Sequence, residues 1–200
     1  MQERNGVPYD AEVEYIENTG GSFIDTLFYP NQDTSVDIGF TTPSPRLSYD
    51  GIGLFETRQG YCNRDFAIRW FYNTNGIQYR YGNHAPNAAN GYPGNGVYHE
   101  ISTKKKLLYF DGELVITANN NTFTSPRTLY VPAFVQGTDA PGSNNEFKYK
   151  LHYLKIYDND SLVRDFIPVR IGSEGCLYDA VTHAVFYNMG DSAFVVGPDK

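Results

Sequence analysis

Apolar and polar residues alternate with a period of two along most of this chain, and that period belongs to half-buried strands rather than helices. Val36, Ile38 and Phe40 alternate with Ser35, Asp37 and Gly39, which predicts a strand with one buried face. Similar runs predict strands around Val13 to Ile16, from Phe23 to Phe28, over Gly51–Glu56 and over Asp65–Tyr72. Ile77, Tyr79 and Tyr81 follow the Asn75-Gly76 pair, a strong two-residue hairpin signal. Val97–Thr103, Leu107–Phe110 and Glu113–Ala118 form a hairpin set turning at Asp111-Gly112, with Leu108, Phe110, Leu114 and Ile116 expected on one face. Leu129–Val135 adds a strand, and the stretch from Lys148 to Pro198 supplies the last hairpins. The count is roughly 13 to 15 strands, with no convincing helix; turn signals at this spacing indicate a sandwich or barrel.

Composition points the same way. Seventeen Tyr and 13 Phe favour strands, while 19 Gly and 11 Pro punctuate them. Polar residues 1–11 are expected as a leader, with one domain over 12–198; 200 residues suit a single all-β domain. A net charge of −7 disfavours nucleic acid as a partner, because phosphate binding needs a basic face. Lys104, Lys105 and Lys106 form the one basic run and read as a solvated, aggregation-blocking edge. No apolar run approaches the roughly 20 residues that span a bilayer. Cys62 and Cys176 fit no metal-ligand spacing, which leaves a disulfide or two buried thiols open.

Several motifs occur in a characteristic order. The chain opens with Val13-Glu14-Tyr15-Ile16-Glu17-Asn18-Thr19-Gly20 and Ile24-Asp25-Thr26, then has Phe110-Asp111-Gly112 at a turn. It closes with KIYD-x-x-x-LVRDFIPVR, LYD-x-VT and FYN-x-G-x-x-x-F-x-x-GP. This wording resembles the concanavalin A-like, LamG-type jelly-roll domains of surface and secreted proteins of gut bacteria. The resemblance implies an antiparallel two-sheet jelly-roll sandwich, exported to the cell surface or medium after loss of a signal. The chain departs from the pattern at Leu27 and at His183, where the family has glycine. In the C-terminal hairpins Tyr157, Phe166, Ile167, Tyr178, Phe186 and Phe194 read as core and turn positions, and Arg164-Asp165 as a structural ion pair.

Candidate chemistry is sparse. Glycoside hydrolysis needs two carboxylates about 5 to 10 Å apart. The nearest sequence approaches are Glu12 with Glu14 and Asp111 with Glu113, while Asp37 stands alone. His99 and His152 read as packing residues; neither they nor His84 and His183 form a ligand pair. Binding is the better-supported class. The loop 82–96 gathers Asn83, His84, Asn87, Asn90, Tyr92 and Asn95, and the loop 136–147 offers Asp139, Asn144 and Asn145. Meeting at one rim, these would surround an exposed ring with amides suited to sugar hydroxyls. Tyr72, Tyr79 and Tyr81 offer a second surface, a tyrosine-lined sheet face. No cofactor is required; the resemblance admits calcium, for which Asp139, Asn144 and Asn145, or Asp158, Asn159 and Asp160, would supply oxygens. The expected function is a non-catalytic binding or adhesion module for carbohydrate or a surface glycoprotein. The alternatives are a hydrolase or lyase of the same fold, or an assembly domain of a larger surface or phage-tail protein.

Overall fold

The computed structural model describes residues 6–42, 52–57, 65–71, 76–88, 96–132 and 148–200, and the regular structure among them is entirely β. The strands are β1 (Ala11–Glu12), β2 (Ile16–Glu17), β3 (Ile24–Asp25), β4 (Thr34–Thr41), β5 (Ile52–Glu56) and β6 (Asp65–Phe71). Next come β7 (Gly76–Gly82), β8 (Asn87–Ala88), β9 (Tyr98–Lys104), β10 (Leu107–Phe110), β11 (Glu113–Thr117) and β12 (Tyr130–Val131). The chain ends with β13 (Lys150–Asp158), β14 (Ser161–Ile171), β15 (Glu174–Asp179), β16 (Ala184–Phe186) and β17 (Val195–Val196). Two antiparallel sheets result. The larger runs β11-β10-β9-β4-β13-β14-β15-β16, with β2 on β13, β17 on β2 and β1 on β14; the smaller runs β3-β12-β5-β6-β7-β8. Among the described residues no helix is long and apolar enough to cross a membrane.

The sheets face each other across an aromatic core, as expected of a β-sandwich. Trp70 of β6 reaches Phe40 of β4 at 5.7 Å and Phe110 of β10 at 5.4 Å between ring centroids. Tyr149 lies edge-on to Phe40 and spends its hydroxyl on the Leu54 carbonyl, so a buried phenol is satisfied within the core. A second cluster of Val169, Cys176 and Tyr178 has Tyr9 packed on it, and the Asp10 N–H donates to the Arg170 carbonyl. Part of the segment expected as a leader is thus attached to the larger sheet. Cys176 is a buried free thiol, pushed up to about 12 by burial and by the Glu174 charge; Cys62 lies outside the described residues.

Turn chemistry explains the hairpins. Asp111 and Gly112 both take positive φ (48° and 84°), as do Asn159 and Asp160 (47° and 64°). A two-residue turn matched to strand twist needs this pair of conformations, and Asp, Asn and Gly tolerate it best. Leu27 and His183 fall on the same constraint. Leu27 has φ 54° and His183 φ 58°, so both adopt the left-handed conformation without glycine. His183 is held by its N–H to the Asp179 carbonyl (2.8 Å) and by its Nδ1 at 3.0 Å from the Tyr178 hydroxyl. Leu27 has the Asp25 carboxylate on its N–H, at 2.9 Å, and the strand expected to reach Phe28 stops at Asp25.

Several expectations are corrected. Leu114 is not in the core: the β10–β11 register slips between Leu108 and Tyr109, so Leu114 pairs with Tyr109 and stands 53% exposed while Leu108 and Ile116 stay buried. Tyr79 and Tyr81 do not line an open face; both are buried between the sheets, donating to the Lys105 and Gln32 carbonyls, and Tyr72 lies outside the described residues. Arg164 and Asp165 do not pair with each other. Arg164 turns to buried Asp179 (3.6 Å), and Asp165 faces Lys155 (3.7 Å). Phe166, Tyr178 and Phe194 are core residues as expected, whereas Tyr157 is half-buried on the outer face of the larger sheet.

Leu27→Gly should raise stability. Release of about 1–2 kcal/mol of left-handed strain outweighs roughly 0.5–1 kcal/mol of added chain entropy, and the exposed leucine gives up little packing. A higher urea midpoint is the expected result; an unchanged or lower midpoint contradicts this reading.

Candidate functional site

The outer face of the larger sheet carries the open polar chemistry, and the core on the other side dictates which residues stand there. Val36, Ile38 and Phe40 point inward and are fully buried, so Ser35, Asp37 and Gly39 point outward. Register brings their neighbours alongside. On β13, Tyr153, Lys155 and Tyr157 lie opposite Gly39, Asp37 and Ser35. On β9, Glu100 and Ser102 lie opposite Gly39 and Asp37. A slip between Leu151 and Tyr153, where His152 is the extra residue, sets the phase that turns these tyrosines outward.

Gly39 makes room for two rings. A Cβ there would lie 2.4 Å from Tyr153 Cε1 and 2.6 Å from the Tyr98 hydroxyl. Both phenols donate to Glu100 Oε1, Tyr98 at 2.7 Å and Tyr153 at 3.2 Å. Burial, together with the Glu100 carboxylate, raises both phenols above their ordinary range, Tyr153 to about 12. They remain hydrogen-bond donors at any physiological pH. Asp37 accepts from Ser102 Oγ at 2.6 Å, and Tyr157 is raised first by burial and then by the Asp37 charge.

Around Asp37 the surface sinks in two adjoining depressions. One, about 320 Å³, is lined by Asp37, Tyr153, Lys155 and Tyr157. The other, about 210 Å³, is lined by Asp37 and Tyr157 again, with Ser35, Thr103, Lys104 and Asp160. The arrangement offers phenol rings, a carboxylate acceptor and the Lys155 ammonium on the adjacent strands β4 and β13. Such a mixture suits a neutral, hydroxyl-rich ligand. Glu100 stands diagonal to Asp37 on the neighbouring strand, a relation invisible in either local sequence. Glu100 is exposed, and neither carboxylate is enclosed by apolar side chains as a glycosidase general acid is.

His152 borders this face. Its Nδ1 lies 3.0 Å from the Glu14 carbonyl, which can only accept, so Nδ1 carries the proton and Nε2 accepts from Thr41 Oγ1 at 2.9 Å. Tyr15 and Tyr98 pack edge-on against its ring. Burial holds the imidazole below its ordinary value, aided by the Lys150 and Lys200 charges and opposed by Glu14.

Of the residues expected at a loop rim, Asn83, His84 and Asn87 are described, and each bonds within the protein. Asn83 accepts from Asn121 Nδ2 at 2.6 Å, and His84 Nδ1 accepts the Asn119 N–H at 3.0 Å. These two brace the end of β7 against the segment after β11. Asn87 lies on β8 and accepts from Gln78 Nε2 at 3.0 Å. Asn90, Tyr92, Asn95, Asp139, Asn144 and Asn145 lie outside the described residues. At the other proposed calcium oxygens, Asn159 and Asp160 form the turn, Asp158 accepts from Asn31, and the Lys105 ammonium lies 3.9 Å from Asp160 and 3.2 Å from Asp33. Among the described residues no three His, Cys, Asp or Glu side chains gather as a metal site. Lys104 lies over the Tyr109 ring and Lys106 donates to Asn120 Oδ1, so the basic run is tied down along the hairpin. His99 stacks on Phe110 and pairs with Asp111, a packing role.

The smaller sheet carries a second polar array of a different kind. Trp70, Ile68 and Phe66 face the core, so Asp65, Ala67 and Arg69 lie on the opposite side. There Arg69 makes a two-pronged contact with Glu56, and Arg80 bonds Asp65 (3.2 Å) and Gln78 (2.9 Å). Glu56, Asp65 and Arg69 are almost wholly buried; desolvation, with the Arg80 charge, lowers the Arg69 guanidinium to about 9, still protonated at neutral pH. These charges are committed to one another, which makes this face a scaffold rather than an open site.

No family model matches the chain, and no curated protein matches it.

Two outcomes test this geometry. Gly39→Ala should displace the Tyr98 and Tyr153 rings, costing about 1–3 kcal/mol as overpacking and changing the alkaline tyrosine titration; an unchanged titration contradicts the shared contact. Because the folded His152 value is lowered, the unfolded chain binds more protons between that value and about 6.5. Stability is therefore complete above that range and falls as pH drops through it. Denaturant midpoints at pH 7.5 and 5.5 should differ more for the wild type than for His152→Gln; equal differences contradict it.

Proposed function

We propose that this chain is a non-catalytic, extracellular or cell-surface binding module of concanavalin A-like jelly-roll type that recognises carbohydrate on the outer face of its larger sheet. The observation that carries the reading is the pair of depressions sharing Asp37, walled by Tyr153 and Tyr157, with Lys155 lining the first and Lys104 the second. Sugars present flat C–H faces and rings of hydroxyls; aromatic faces bury the former and charged acceptors and donors bond the latter. Support for this reading over a hydrolase comes from the surroundings of the two carboxylates. Asp37 is bonded by Ser102, while Glu100 is exposed and shared between two phenols.

Affinity electrophoresis through gels of starch, xylan, laminarin, pectin or mucin tests the proposal. The wild type should be retarded by at least one, and Asp37→Ala should weaken that retention about tenfold or more, the worth of a hydrogen bond to a charged group. Retention by none, or equal retention of Asp37→Ala, overturns it; retention by mucin lost only after protease treatment of the gel matrix would identify a protein partner instead.

A further inference from the structure

The two depressions differ in their walls but share a floor, and the sharing carries information about ligand length. Asp37 and Tyr157 line both. Tyr157 therefore stands as a ridge, with Tyr153 and Lys155 beyond it on one side and Lys104 and Asp160 on the other. Tyr153 and Tyr157 are four residues apart on one continuous strand face, about 13 Å along β13. That span is wider than one pyranose ring. Lys155 lines one depression, and Lys104, its ammonium turned over Tyr109, lines the other, so the two are walled differently.

We infer that the face binds an internal stretch of a glycan chain, with consecutive sugar units on either side of Tyr157 and Asp37 bonding hydroxyls of both. This rests on the carbohydrate reading above and adds a direction and a minimum length. A chain lying along β13 passes Tyr153, Lys155 and Tyr157 in order, then crosses towards Lys104. Recognition then needs at least two linked units, and a lone terminal sugar fills only one half. Beyond the smaller depression, about 210 Å³, contact extends towards exposed Asp160. The central position of Asp37 makes its loss felt at every ligand length. Loss of Lys104 removes a contact from one side alone.

The test is calorimetric titration with a size-fractionated ladder, from monosaccharide to hexasaccharide, cut from the polysaccharide that retards the protein in the gel. Affinity should rise about tenfold or more between one unit and three, then level off. Tyr157→Ala should erase this rise, while Tyr157→Phe, which keeps the ring, should keep it. Lys104→Ala should weaken the trisaccharide more than the monosaccharide. Equal affinity for one unit and three, or a rise that survives in folded Tyr157→Ala, overturns the two-sided site while leaving carbohydrate binding standing. A protein that no polysaccharide retards overturns both. Circular dichroism of each variant identifies any that fails to fold, in which case Tyr157→Phe and Lys104→Ala decide the matter.

Discussion

Strand β4 is the constraint on which the outer face of the larger sheet depends. Val36, Ile38 and Phe40 are fully buried, and Phe40 meets Trp70 from across the sandwich and Tyr149 at its side. Burying three such side chains is worth roughly 1.5–3 kcal/mol each. A slip of one residue would exchange them for Ser35, Asp37 and Gly39. The core thereby locks Asp37 and Gly39 outward in a fixed register with Ser102, Lys155 and Tyr153. The polar site is the other side of the hydrophobic one.

The two sheets treat their outward charges in opposite ways. On the smaller sheet, Glu56, Arg69 and Asp65 are buried and bonded to partners, so their charges are held in a dry setting. Beside Asp37 on the larger sheet the pairing is loose. Lys155 lies 3.7 Å from Asp165 with both side chains partly in solvent, a pairing of small worth. Those groups can turn to a ligand at little cost. The charges of the smaller sheet cannot.

Much of the fold was legible in the sequence because it is written locally. The alternation over Ser35–Phe40, the Asp111-Gly112 turn and the final hairpins all appear where the pattern places them. Bulges were not legible. Single extra residues beside Leu114 and at His152 reverse the phase of their strands, and only the partner strand reveals them. Tyr79 and Tyr81 alternate as a half-exposed strand would, yet β7 is buried on nearly every residue. The site was legible least of all. Asp37 reads as solitary along the chain because Ser102 and Tyr157 are 65 and 120 positions away, and only antiparallel register brings them to its side. In the 82–96 loop, Asn83 and His84 bond the neighbouring 119–121 segment, a pairing that local composition does not reveal.

Amide and side-chain NMR shifts, followed as an oligosaccharide of the retained polysaccharide is added, address the central claim most directly. The account expects the largest changes at Asp37, Ser102, Tyr153, Lys155 and Tyr157, with Asn83, His84 and the buried Glu56–Arg69 pair unmoved. Changes centred on Asn83 to Asn87, with the β4–β13 face silent, would contradict it.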